Sequence, residues 1–159
     1  MINVINGEIA SGKTTQLIGA YNTYGQGDGY ALTRVETKGV FIGQDIVRLS
    51  NKQFMPFCRI EGLLPTDFNA CQKYDKFYFS KEGLDFAKHI IWSAIKERSH
   101  FAYIDEIGPL ELSGGGVDKE FSLLVRTVKN VYVTVRNSLL PQFFSRYIIN
   151  NRTIKTPKN

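Results

Sequence analysis

The stretch Gly7-Glu8-Ile9-Ala10-Ser11-Gly12-Lys13-Thr14, set directly after the apolar run Ile2-Asn3-Val4-Ile5, constrains this chain more than any other part of it. Glycine, four free positions and then Gly-Lys-Thr is the pattern of a phosphate-binding loop, and each fixed residue has a physical task. Gly7 lets the backbone leave a strand sharply, and Gly12 lets it pass close to phosphate oxygens where a Cβ would collide. The N–H groups from Gly7 through Glu8, Ile9, Ala10, Ser11 and Gly12 to Thr15 can converge on an anion, reinforced by the positive end of a helix beginning near Lys13. Lys13 would place a point charge on the β- and γ-phosphates, and the Thr14 hydroxyl would ligate Mg²⁺. The bland reading is a surface turn that spells the pattern. Context favours the loop, because Thr14, Leu17, Ile18 and Tyr21 fall on one helical face.

A chain of 159 residues fits one compact domain, expected here over 1–159 with residues 150–159 as a flexible basic tail. Hydrophobic residues at 43% and charged residues at 22% are those of an ordinary soluble protein. No apolar run approaches a membrane span and the N-terminus lacks a signal-peptide pattern, so the expected location is cytoplasmic, with no membrane partner. Cys58 and Cys71 cannot build a disulfide framework, and with only His89 and His100 besides they make no spaced zinc cluster. The net charge of +5 suits polyanions, which include nucleoside triphosphates as well as nucleic acid. Its spread along the chain makes a nucleoside triphosphate the expected partner and nucleic acid the less favoured one.

Beyond the first helix, residues 22–29 read as a loop and Tyr30 to Val35 as a strand. Turn chemistry at Glu36 to Gly39 then leads into strand-like Val40 to Ile42 and Asp45 to Leu49. Met55 to Ile60 is another short strand, residues 61–69 a loop, and the aromatic-rich run Lys73 to Phe79 a strand. Tyr74, Phe77, Tyr78 and Phe79 read as sheet packing, with stacking on bases as the other possibility. Ser80 caps a helix that runs to Arg98, with Leu84, Ala87, Ile91 and Ala94 on one face. Phe101 to Ile104 is a buried strand, Asp118 to Lys129 a helix, Val131 to Val135 a buried strand, and Ser138 to Phe144 a short helix, with Tyr147 to Ile149 a last strand. Buried strands alternating with helices at both ends predict a mainly parallel sheet with helices on its two faces and an antiparallel β-insertion.

In such sheets ligands bind beyond the C-terminal ends of the strands, where the phosphate loop, Asp105-Glu106 and Arg136 should converge. An apolar strand ending in an acid is the second half of a nucleotide site, with Asp105 holding Mg²⁺ opposite Thr14. Glu106, the carboxylate beside it, can orient or deprotonate the water that attacks the γ-phosphorus. Arg136 is either a γ-phosphate contact or a surface arginine paired with an acid. Gly114-Gly115-Gly116 is a lid hinge or a solvent-exposed connection, the latter favoured.

The loop ending Gly12-Lys13-Thr14-Thr15, the segment Tyr103-Ile104-Asp105-Glu106-Ile107-Gly108-Pro109-Leu110-Glu111-Leu112 and the β-insertion near Gly39 to Leu49 resemble the cancer-related nucleoside-triphosphatase family, also called thermophilic NTPases. The Asp-Glu segment is its most specific part, and the order and spacing span most of the chain. The resemblance implies a three-layer α/β/α P-loop fold and slow hydrolysis of several nucleoside triphosphates with Mg²⁺. It makes Lys13 and Thr14 phosphate and Mg²⁺ contacts, Asp105 the metal-side acid and Glu106 the candidate base. Two departures stand out. Glu8-Ile9-Ala10-Ser11 replaces residues that are often Gly or Pro, which puts an acid close to the phosphates, and Gly114 to Gly116 is an added run after the glutamate segment.

The expected activity is Mg²⁺-dependent cleavage of the β–γ bond with low base selectivity. A P-loop kinase acting on a nucleotide or small metabolite is the runner-up, and a nucleic-acid-stimulated ATPase is a third possibility. Asn51-Lys52 is followed by Gln53-Phe54, so the guanine-selecting Asn-Lys-x-Asp pattern is absent.

Overall fold

Phe101 to Ile104, the buried four-residue strand expected from its apolar run, lies in the middle of a single mixed sheet. The computed structural model describes residues 1–147 and the backbone of residues 154–155. In chain order the elements are β1 (Ile2–Gly7), α1 (Lys13–Tyr24), β2 (Asp28–Thr37), β3 (Val40–Arg48), β4 (Phe54–Ile60), β5 (Ala70–Tyr74), β6 (Phe77–Ser80) and α2 (Lys81–Lys96). They continue as β7 (Phe101–Ile104), α3 (Pro109–Leu112), α4 (Asp118–Thr127), β8 (Asn130–Arg136), a 3₁₀ turn (Asn137–Leu139), α5 (Leu140–Tyr147) and β9 (Ile154–Lys155). The strand order is β5-β6-β4-β3-β2-β7-β8-β1-β9. From β2 across β7, β8 and β1 to β9 neighbours run parallel, and from β2 out to β5 they run antiparallel. The expected parallel sheet with an antiparallel insertion is what forms.

Alternation along the parallel strands sorts the core into two faces. Ile2 and Val4, Ala102 and Ile104, and Val131, Val133 and Val135 pack with α2, α4 and α5. Ile5, Tyr103 and Tyr132 pack on the opposite face with Leu17, Ile18 and Tyr21 of α1. The face read for the first helix is therefore the one it buries. Ser80 caps α2 as expected, its Oγ accepting from Gly83 N at 2.9 Å.

Three expectations change. Lys73 to Phe79 is not one strand but the two arms of a hairpin, reversed at Asp75, which adopts φ +51. Phe77 and Phe79 pack on the core while Tyr74 stays 41% exposed. Gly114 to Gly116, favoured as a solvent-exposed connection, is exposed at Gly114 and buried by Gly116. Gly115 N donates to Leu110 O at 2.9 Å, and Gly116 is buried with its N–H on Gln72 Oε1 at 2.8 Å. Tyr147, expected to open a strand, instead ends α5 with its hydroxyl on Asp118 Oδ1 at 2.8 Å. Residues 148–149 lie outside the described residues, as does the 150–159 stretch apart from Ile154–Lys155, which pair with Ile2 and Asn3. Among the described residues no helix is long and apolar enough to cross a membrane.

Candidate active site

β1 ends at Gly7, and residues 8–12 are exposed before α1 starts at Lys13. Ala10 and Gly12 take φ of +59 and +84, so the loop coils back on itself, and at Gly12 any side chain would strain the backbone. Lys13 Nζ reaches over this coil to donate to Glu8 O at 2.5 Å. Ile9 projects into solvent, and Thr15 is exposed on the first turn of α1. Glu8, the acid of the loop, is exposed. Its Oε1 accepts from Asn137 Nδ2 at 2.9 Å, and Asn137 Oδ1 accepts from Asn6 Nδ2 at 2.8 Å, so this acid is tied to the end of β8.

Thr14 and Asp105 meet directly. Asp105, only 2% exposed at the end of β7, accepts from Thr14 Oγ1 at 2.8 Å and from Leu32 N at 2.9 Å on Oδ2, and from Thr134 Oγ1 at 2.6 Å on Oδ1. Burial pushes its pKa upward, and the bonds from Thr134, Leu32 and Thr14 oppose that shift. The Thr134 hydroxyl also accepts from Glu106 N at 2.7 Å, and Ile107 N donates to Thr134 O at 3.1 Å. These bonds hold Glu106 at φ +57, a conformation a non-glycine residue keeps only when its surroundings enforce it. The turn sends its carboxylate away from Asp105 and along the rim. There Glu106 Oε1 pairs with Arg136 Nη2 at 2.5 Å, and Oε2 accepts from Gln44 Nε2 at 3.3 Å. Arg136, last in β8, stands opposite Gly7 in the parallel register.

Lys13, Thr14, Asp105, Glu106 and Arg136 are thus brought to one rim. Sequence reasoning gave no role to Thr134, Gln44, Asn137 or Glu111. A threonine inside a buried valine strand was a usable signal for the first. Gln44 comes from the insertion, where nothing local marks it. Glu111 is 5% exposed, accepts from Gly108 N at 3.1 Å on Oε2, and has its carboxyl pushed up to about 7, chiefly by burial. Two hard oxygens, from Thr14 and Asp105, face each other at hydrogen-bond distance, which is a donor set for a small divalent cation that takes its other ligands from phosphate and water. Among the described residues no group of three His, Cys, Asp or Glu side chains forms a self-sufficient metal cage.

A strand, a coiled loop carrying Lys13 into a helix, and a parallel strand one further along, across β8, closed by a buried acid define a P-loop nucleoside-triphosphatase architecture. The profile of the family described as NTPase matches residues 3–156, and the chain belongs to that family of NTP-hydrolysing enzymes. The solution structure of a human cancer-related nucleoside triphosphatase matches with a TM-score of 0.66 at 20% identity, covering 96% of this chain and 85% of that one. At that identity the likeness is one of fold. No curated protein matches the chain.

Proposed function

We propose that the chain is a Mg²⁺-dependent triphosphatase that cleaves the β–γ bond of ATP, GTP and other nucleoside triphosphates with low base selectivity. The observation that carries this reading is the divergence of two adjacent carboxylates. Asp105 is buried against Thr14, while Glu106 is turned out to the rim beside Arg136. One acid then faces the metal side of a triphosphate and the other faces its terminal phosphorus.

In this reading Lys13 exchanges Glu8 O for β- and γ-phosphate oxygens, and the loop N–H groups hold the β-phosphate. Thr14 and Asp105 would hold Mg²⁺, which would supply neutralisation of the triphosphate's negative charge. Glu106 orients water and takes its proton as the bond to the leaving diphosphate breaks. Arg136 turns from Glu106 to the γ-oxygens where negative charge collects. Residues assigned to the site touch only the phosphate end, which supports weak discrimination among bases.

A phosphate-release panel with ATP, GTP, CTP and UTP, each with Mg²⁺ or a chelator, tests the reading. Release from all four that stops in chelator is expected. Glu106→Gln should keep nucleotide binding and lose about 10²-fold or more in kcat, whereas Lys13→Ala should lose both binding and turnover. Undiminished turnover in Glu106→Gln removes the role given to that residue.

A further inference from the structure

Past Glu106, on the side of the antiparallel insertion, a cleft of about 130 Å³ opens between that insertion and the Glu106–Leu110 segment. None of its lining comes from the Gly7–Gly12 loop, so it is separate from the phosphate cradle while sharing Glu106 and Arg136 with it. Phe57, Phe77 and Phe79 form an aromatic wall, with Phe57 and Phe79 already set edge to face at 5.5 Å. Pro109 and Leu110 are apolar groups on the other side. Part of the polar lining is one connected set, Gln44 to Glu106 to Arg136.

Size and charge narrow the occupant. A cavity of roughly 150 Å³ lined by apolar side chains accommodates benzene, so this one suits a single ring. Among the described residues Asp75 and Glu106 line it against one cation, Arg136, which is itself paired with Glu106, while burial favours the protonated form of Glu111. That balance repels anionic acceptors such as nucleoside monophosphates. The buried Glu111 carboxyl offers a polar partner to a ring nitrogen.

We propose that this cleft is a phosphoryl-acceptor subsite for an uncharged or weakly basic single-ring alcohol, whose hydroxyl reaches Glu106 where the attacking water otherwise stands. This rests on the role of Glu106 in hydrolysis. Glu106 takes the hydroxyl proton and the alcohol oxygen bonds to the γ-phosphorus. The bond from that phosphorus to the bridging oxygen breaks, and the diphosphate leaves with the electron pair. With the cleft filled by water the same groups hydrolyse; with the alcohol bound they transfer.

The test incubates the full chain with γ-labelled ATP, Mg²⁺ and either hydroxymethylpyridine or benzyl alcohol, with glycerol as the aliphatic control. A labelled phosphate ester that rises to saturation with the aromatic alcohols, and is absent with glycerol, is the expected result. Phe77→Ala, and the milder Tyr74→Ala at an exposed lining position, should each lower the ratio of ester to phosphate, by about tenfold for Phe77→Ala. Phosphate as the sole labelled product at every alcohol concentration overturns the subsite. So does an ester yield that is unsaturable, equal with glycerol and indifferent to both variants, since that is simple solvolysis. Phosphate release without any alcohol is scored separately, so a failure of hydrolysis is told apart from a failure of the subsite.

Discussion

Thr134 is a small side chain with two obligations, because its one hydroxyl donates to Asp105 and accepts from the N–H of Glu106. Thr134→Val keeps the shape and removes both bonds, leaving a buried carboxylate oxygen short of a donor. A loss of about 1–3 kcal/mol is expected in urea titration, with kcat falling because the strained turn at Glu106 loosens. Glu111 makes a different prediction. Burial holds its carboxyl at about 7 against an ordinary 4.5, so the folded chain keeps a proton that the unfolded chain has released. Between those values the folded state binds more protons, and stability therefore falls as pH rises, reaching a penalty on the order of 3 kcal/mol above the folded pKa. Glu111→Gln removes that slope. Urea midpoints measured across this range should show the variant gaining on the parent as pH increases, and parallel curves would contradict the assignment.

Strands and helices with a clear period are legible in the sequence: β1, α1, α2, β7, α4 and β8 all form where apolar spacing places them, to within a few residues. The β5–β6 hairpin is not, because its reversal uses Asp75 in a left-handed conformation with no glycine or proline to mark it. The glycines after α3 mislead in the opposite direction. They read as freedom, yet a Cβ on Gly116 would lie 2.0 Å from Glu111 Oε1, and its φ is +55. Glycine there lets the chain pass against the Glu111 carboxylate while the Gly116 N–H ties to Gln72 on β5. Gly116→Ala should cost about 2 kcal/mol or more from strain and overlap together, and should also lower kcat by displacing the Glu111 side chain that holds Gly108. Denaturant midpoints and phosphate release on the same sample check both effects.

Because β7, β8 and β1 are adjacent and parallel, their C-terminal ends deliver residues 105–106, 136 and 7–14 to one rim from points far apart in the chain. That convergence is readable from the sequence, since each group follows an apolar strand and the rule for such sheets supplies the rest. The contacts between groups are not readable: Glu8 turned to Asn137, Gln44 reaching in from the insertion, and Thr134 joining the two acids depend on registers that no local pattern encodes. A ligand held by three separate strand ends has to link them thermodynamically. In the proposed function nucleotide with Mg²⁺ would bind only when all three ends are in place, and so should stabilise the whole sheet rather than the loop alone. At a hundredfold excess over Kd the gain is about 2.7 kcal/mol, read as a shift of the urea midpoint with unchanged steepness. Lys13→Ala should fold normally, since among the described residues the Lys13 side chain bonds the exposed Glu8 carbonyl alone, and should lose that shift. Glu106→Gln should retain it. A shift that survives Lys13→Ala would place the nucleotide away from the Gly7–Thr14 loop.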